Sequence, residues 1–190
     1  MRIDMSLKIM WGITGTGYLL EESITLMREL QENYDLDITV MLSEEGAVVV
    51  KWYKQWDYLN DVVSRVKVEK TPNNPFLAGP LQIGKYDFLL VAPVSANSVA
   101  KIVYGIADTL VTNCVAQTIK GGVPVYLLPS DQHKEPIVTS KPDGSKLVLK
   151  IRDIELENVE KLKNLEGITV LSDFEELKEF LTEAAKNNKD

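Results

Sequence analysis

At 190 residues, 45% hydrophobic and 26% charged, the chain has the composition of a globular domain long enough to bury one core. A formal net charge of −7 without any basic run argues against a nucleic-acid binder, since phosphate contacts need a basic face. The single cysteine, Cys114, excludes a disulfide framework within the chain, and no apolar run approaches a membrane span. Arg2, Asp4 and Lys8 interrupt any secretory pattern, so a cytoplasmic protein without membrane or metal site is expected.

In chain order, Leu7 to Ile13 predicts a first strand ending in Thr14-Gly15-Thr16-Gly17, followed by a helix over Tyr18 to Asn33 with apolar residues at helical spacing. Asp37 to Leu42 predicts a second strand ending in Ser43, and Glu44 to Trp56 one continuous helix. The Asn- and Pro-rich stretch Thr71 to Pro80 reads as loop. Phe88 to Ala92 is a short continuous apolar run, as in a strand buried on both faces of a parallel sheet, with Pro93 ending it. Val99, Ala100, Ile102 and Val103 resume an apolar pattern at helical spacing, a second helical run extends from about Thr109 to Lys120, and a strand follows from Val123 to Leu128, ending in Pro129. A polar segment turning at Asp143-Gly144, a helix over Glu155 to Leu165, a strand over Ile168 to Leu171 and a helix over Asp173 to Lys186, capped by Ser172 or Asp173, complete the pattern. Strands alternating with helices predict a single doubly wound, Rossmann-like parallel α/β sheet flanked by helices. Its core is expected over about 7–130, the hairpin, helix, strand and helix over 131–186, and a frayed tail over 187–190.

Two stretches carry chemistry. Ser95, Ala96, Asn97 and Ser98 are small or polar and stand where a strand gives way to a helix, whose unpaired N–H groups and dipole favour an anionic ligand. An ordinary cap by Ser95 or Asn97 is the plainer reading. Gly12 to Gly17 places glycines and two threonines at the first strand-to-helix turn, where backbone could approach a phosphate; a tight turn needing positive φ is the alternative. It is not a P-loop. Leu20 also occupies the third glycine position of a dinucleotide fingerprint, although Glu44 could hold a ribose. Loops at three strand ends would converge on one site.

Pro93-Val-Ser-Ala-Asn-Ser98, with Lys101, Gly105 and Asp108 downstream, resembles the Pro-Ala-Ser-Ala-Asn-Thr motif of the homo-oligomeric flavin-containing cysteine decarboxylase superfamily, departing at Val94 and Ser98. The Trp-Gly-Ile-Thr-Gly start, the Ala-Gly-Pro-Leu-Gln stretch and Ile151-Arg-Asp-Ile154 are similar to the archaeoflavoprotein family within it. The resemblance implies an archaeal-type, cytoplasmic flavoprotein holding flavin mononucleotide (FMN) near the interfaces of a homo-oligomer. Thr14, Gly15, Thr16, Gly17 and Ser43 would lie at the phosphate, and Pro93, Ser95, Ala96, Asn97, Ser98 and Lys101 along the ribityl chain and ring. Ser130 and Trp52 are further cofactor candidates, Trp52 as a cover for a neighbouring subunit's flavin. The implied activity is electron transfer from a ferredoxin to a small acceptor, such as a pterin. A carrier without small-molecule turnover, and a non-redox lyase or flavin prenyltransferase, are the alternatives. The superfamily's decarboxylase histidine and its Pro-Ala/Asn-Met-Asn clamp have no counterpart in Asn73 to Leu81 or Pro129 to Pro136, which argues against decarboxylation. One thiol cannot ligate an iron–sulfur cluster, so electrons would come from a separate protein.

Individual residues leave choices open. His133, the only histidine, is a candidate proton donor at the flavin edge or an exposed loop residue; no orienting partner stands near it in sequence. Cys114 reads as core, Trp52 and Trp56 as one helix face four residues apart, and Asp108 as a helix cap. Lys134, Lys141 and Lys146 form the expected basic docking patch for an acidic ferredoxin.

Overall fold

A computed structural model describes residues 6–188, residue 75 by its backbone alone. The apolar runs become the interior of one six-stranded parallel sheet: β1 (Leu7–Ile13), β2 (Leu36–Leu42), β3 (Arg65–Val68), β4 (Phe88–Val94), β5 (Val125–Pro129) and β8 (Ile168–Val170), in the spatial order β3-β2-β1-β4-β5-β8. Between β5 and β8 the chain forms an antiparallel hairpin of its own, β6 (Ile137–Ser140) with β7 (Lys146–Leu149). The helices are α1 (Leu20–Asn33), α2 (Glu44–Trp52), α3 (Trp56–Val62), α4 (Pro75–Gln82), α5 (Ala96–Val103), α6 (Leu110–Lys120), α7 (Asp153–Lys163) and α8 (Phe174–Asn187). Among the described residues no helix is long and apolar enough to cross a membrane.

Side-chain alternation along β1 splits the core into two layers. Ile9, Trp11 and Ile13 face a cluster shared with Ile24 and Met27 of α1 and Leu177 and Leu181 of α8. Met10 faces the opposite cluster, with Leu81 of α4 and Val111, Cys114 and Val115 of α6. Both faces being covered, β4 is buried along its whole length. Burial, aided by the nearby Glu69 charge, pushes the Cys114 thiol up to about 12, so it is an unreactive core residue.

The structure corrects five expectations. The helix expected over 44–56 is two helices, because Lys54 takes a left-handed φ of 58° and turns the chain. Trp52 and Trp56 therefore lie on different helices and share no face. The Thr71 to Pro80 stretch is loop only in its first half: Asn74 Oδ1 accepts from Phe76 N–H at 3.1 Å and starts α4, in which proline suits the first turn. Arg65–Val68, unassigned from sequence, is the edge strand β3, where only alternate residues are half-buried. Pro93 does not end β4. The strand continues to Val94 across a register shift against β5, a place where a sheet tolerates proline, with the Ala92–Pro93 peptide cis. Asp108 does not cap α6; Thr109 does, in a reciprocal capping box with Thr112. The Asp143-Gly144 turn stands as expected, Gly144 having a φ of 81°, and of the two candidates Asp173 caps α8.

Candidate functional site

With β1 in the middle of the sheet, the chain winds outward to β3 and then returns to place β4 on the other side of β1. The carboxyl ends of β1 and β4 diverge there, and in this topology the crevice between them is where ligands bind. A cleft of about 500 Å³ lies at this point, lined by Gly15 after β1, Ser43 after β2, and Ser95, Asn97, Ser98 and Lys101 around the start of α5. Three separate loops thus meet in one cavity.

Close approaches of backbone to its neighbours shape this end of the sheet. An ideal Cβ on Gly46 would stand 2.5 Å from the Ile13 carbonyl oxygen, so the first turn of α2 presses directly on the end of β1. One on Gly15 would meet the Glu45 Cβ at 2.9 Å, and one on Gly17 would fall within the Tyr53 ring. Neither Gly15 nor Gly17 has positive φ, so close approach, and not a left-handed turn, selects glycine here.

Thr14 holds the floor of the cleft. Its hydroxyl accepts from Ser95 N–H at 2.7 Å and donates to the Pro93 carbonyl at 3.4 Å, while the Trp11 indole N–H donates to Ala92 O at 2.6 Å. These bonds join the ends of β1 and β4 across about eighty residues of chain. Thr14 is only 1% exposed, so its hydroxyl is engaged within the protein and does not line the cleft. Thr16 Oγ1 likewise accepts from Tyr18 N–H, at 3.3 Å.

The helix starts supply donors. Ser43 Oγ accepts from Gly46 N–H at 3.0 Å and caps α2, and Ser95 Oγ, within 3.2 Å of Ser98 Oγ, accepts from Ser98 N–H at 3.4 Å and caps α5. Ser95 therefore performs the ordinary capping role and lines the cleft as well. The exposed Asn97 amide has no partner among the described residues. Lys101 Nζ lies 2.8 and 3.0 Å from the two Asp108 carboxylate oxygens, so Asp108 holds the lysine at the cleft wall.

Other expected residues fall elsewhere. Gly17 lines a neighbouring cavity of about 420 Å³, bounded by Tyr53, the start of α1 and the β6–β7 hairpin, with Lys141 at its edge. Buried Pro93, in β4, and half-buried Ala96, next to Ser95, do not line the cleft. Ser130 is buried at the end of β5 with its hydroxyl bonded to Asp131. Trp52 is 58% exposed, edge-on to Tyr53, and does not line the cleft. His133 is exposed, its Nε2 3.0 Å from the Ser172 carbonyl, so the structure does not bring it into the site. Sequence reasoning missed Glu69, which lines the cleft from the end of β3. The alternation of Arg65-Val-Lys-Val68 was the available signal for that strand.

A family model described as Flavoprotein matches residues 2–188. The chain belongs to the Flavoprotein family. An uncharacterized protein of Methanocaldococcus jannaschii is 50% identical over 175 residues, covering 92% of this chain and 94% of that protein. A dihydromethanopterin reductase (acceptor) of the same organism is 41% identical over 147 residues, which cover 74% of this chain but only 59% of the relative. The crystal structure of Burkholderia xenovorans DmrB in complex with FMN, described as a cubic protein cage for redox transfer, matches over the full length of both chains with a TM-score of 0.79 and 32% identity.

Proposed function

We propose that the chain is a cytoplasmic, FMN-binding oxidoreductase that takes electrons from a ferredoxin and passes them to a small acceptor of the pterin class. The observation that carries this reading is the convergence of Gly15, Ser43, Ser95, Asn97 and Ser98 on one cleft at the switch point of a fold whose full-length relative holds FMN. The residues fit that group. The glycine at 15 admits close backbone approach, the α2 start offers the Glu45 N–H, unpaired among the described residues, to a phosphate, and Asn97 offers a free amide to polar ring or chain atoms. Bound flavin would supply the redox chemistry; the chain's own part is to bind and orient it through hydroxyl, amide and backbone donors. The acceptor class rests on the likeness to the dihydromethanopterin reductase relative.

The purified protein should be yellow, and its visible flavin bands should bleach on anaerobic addition of reduced ferredoxin. Reversing charge at the exposed Lys134, Lys141 and Lys146 should slow that bleaching roughly ten-fold at low salt and flatten its salt dependence. Bands that persist with reduced ferredoxin would remove the donor. An unchanged rate in the reversed variant would remove the docking patch alone.

The same reading includes a homo-oligomer with the flavin near subunit contacts. The hairpin pairs Val138 with Val148, which are 56% and 54% exposed on one face, and a two-stranded hairpin is marginal by itself. Exposed Trp52 and Val48 lie four residues apart on α2 and form a second bare apolar patch. Sedimentation of the flavin-loaded protein is expected to give an oligomer; a monomer at micromolar concentration would refute this part.

A further inference from the structure

The start of α2 already holds an anion belonging to the chain itself. Glu69 follows the last residue of β3, where its N–H donates to Leu42 O at 2.9 Å and fixes it beside the end of β2. From there its carboxylate reaches across, and Glu69 Oε2 accepts from Glu44 N–H at 3.2 Å. A carboxylate on the first N–H of a nine-residue helix makes the contact that a ligand's phosphate would make. The lining of the same cleft is acidic: Glu44, Glu45, Glu69 and Asp108 face only Lys70 and Lys101, and Lys101 is already paired with Asp108. A phosphate dianion entering beside Ser43 would meet the Glu69 carboxylate at close range, and the two charges cannot both keep the helix start.

We propose that Glu69 is a stand-in anion that must leave the start of α2 when the phosphate of a flavin enters, and that it sets how strongly the cleft prefers phosphorylated over unphosphorylated flavin. The side chain can leave without rebuilding the loop behind it. Pro72 is held by Asn113 Nδ2 at 3.1 Å and Asn74 caps α4, so the backbone stays anchored while Glu69, only half-buried, swings toward solvent. This inference rests on the flavin reading above.

The test is fluorescence titration of apoprotein with FMN and with riboflavin, which lacks the phosphate, for the native chain, Glu69→Gln and Glu44→Gln. Glu44→Gln removes a neighbouring cleft charge without vacating the helix start. Glu69→Gln is expected to bind FMN about ten-fold more tightly, with riboflavin changed less than two-fold and Glu44→Gln showing a much smaller gain. Weaker FMN binding by Glu69→Gln would overturn the proposal by making the carboxylate a ligand of bound flavin. Equal gains in the two variants would overturn it in favour of bulk charge. If no form bound either flavin, the flavin reading itself would fall, and the inference with it; FMN binding that ignores Glu69 would leave that reading intact.

Discussion

Gly46→Ala should lose about 3 kcal/mol of stability, melt roughly 6–12 °C lower than the native protein, and bind flavin poorly even when folded. The added methyl would stand 2.5 Å from the Ile13 oxygen and 3.2 Å from its carbonyl carbon, with Ser43 Oγ at 3.1 Å. Two of these three atoms are backbone of a central strand and cannot rotate away. Relief requires the first turn of α2 to lift off β1, which stretches the bond from Ser43 N–H to Ile13 O, now 3.2 Å, and moves the Ser43 cap with it. Stability and binding are thus coupled through one contact. Gly79→Ala is the matched control: a glycine in α4 with nothing within 4 Å of the added methyl, where alanine should be neutral or stabilise by up to about 1 kcal/mol. Thermal unfolding and flavin titration of both variants decide the matter. If the two melt alike, the press of α2 on β1 is not what fixes the cleft.

The sheet was legible in the sequence wherever both of its faces are covered. After Lys8, Ile9 to Ile13 carries no charged or polar side chain beyond the Trp11 indole, and Phe88 to Ala92 is apolar throughout, because helices pack on either side; those runs locate the two strands whose ends form the cleft. The edge strand β3 has no such run: four residues, half of them exposed, leave only a brief alternation. Glu69 was overlooked for the same reason, since a residue at the end of an unrecognised strand has no assigned position. The break between α2 and α3 left no mark because Lys54, and not glycine or asparagine, takes the left-handed conformation.

The site divides along a similar line. Small polar residues at strand ends indicated where the cavity is, and Gly15, Ser43, Ser95, Asn97, Ser98 and Lys101 do line it. Their individual tasks were less visible, since a task depends on partners far away in the chain. Lys101 was legible as a cation, but its pairing with Asp108 was not, because the helix cap expected of Asp108 is supplied by Thr109. Thr14 is the sharper case. Its type and place suit a phosphate ligand, yet its hydroxyl is engaged 79 and 81 residues away.

That engagement makes Thr14→Val the most informative substitution in the floor of the cleft. Valine matches threonine in shape, so packing is kept while the acceptor for Ser95 N–H is lost. A donor left unpaired in so closed a place costs about 1–3 kcal/mol, which for a chain of this size lowers the melting temperature by roughly 2–12 °C. The loss should also reach the ligand. Ser95 caps α5 and is bonded to Ser98, so freeing its N–H loosens the whole Ser95 to Ser98 turn, and FMN affinity should fall ten-fold or more. Thr14→Ser separates the two contributions: it keeps the hydroxyl, removes one methyl at a cost of about 1 kcal/mol, and should retain most of the flavin affinity. If serine and valine lowered FMN affinity equally, the methyl packing of Thr14 would be what organises the turn. If valine instead bound FMN as the native chain does, the hydrogen bond from Ser95 to Thr14 would be a by-product of the fold with no part in shaping the cleft.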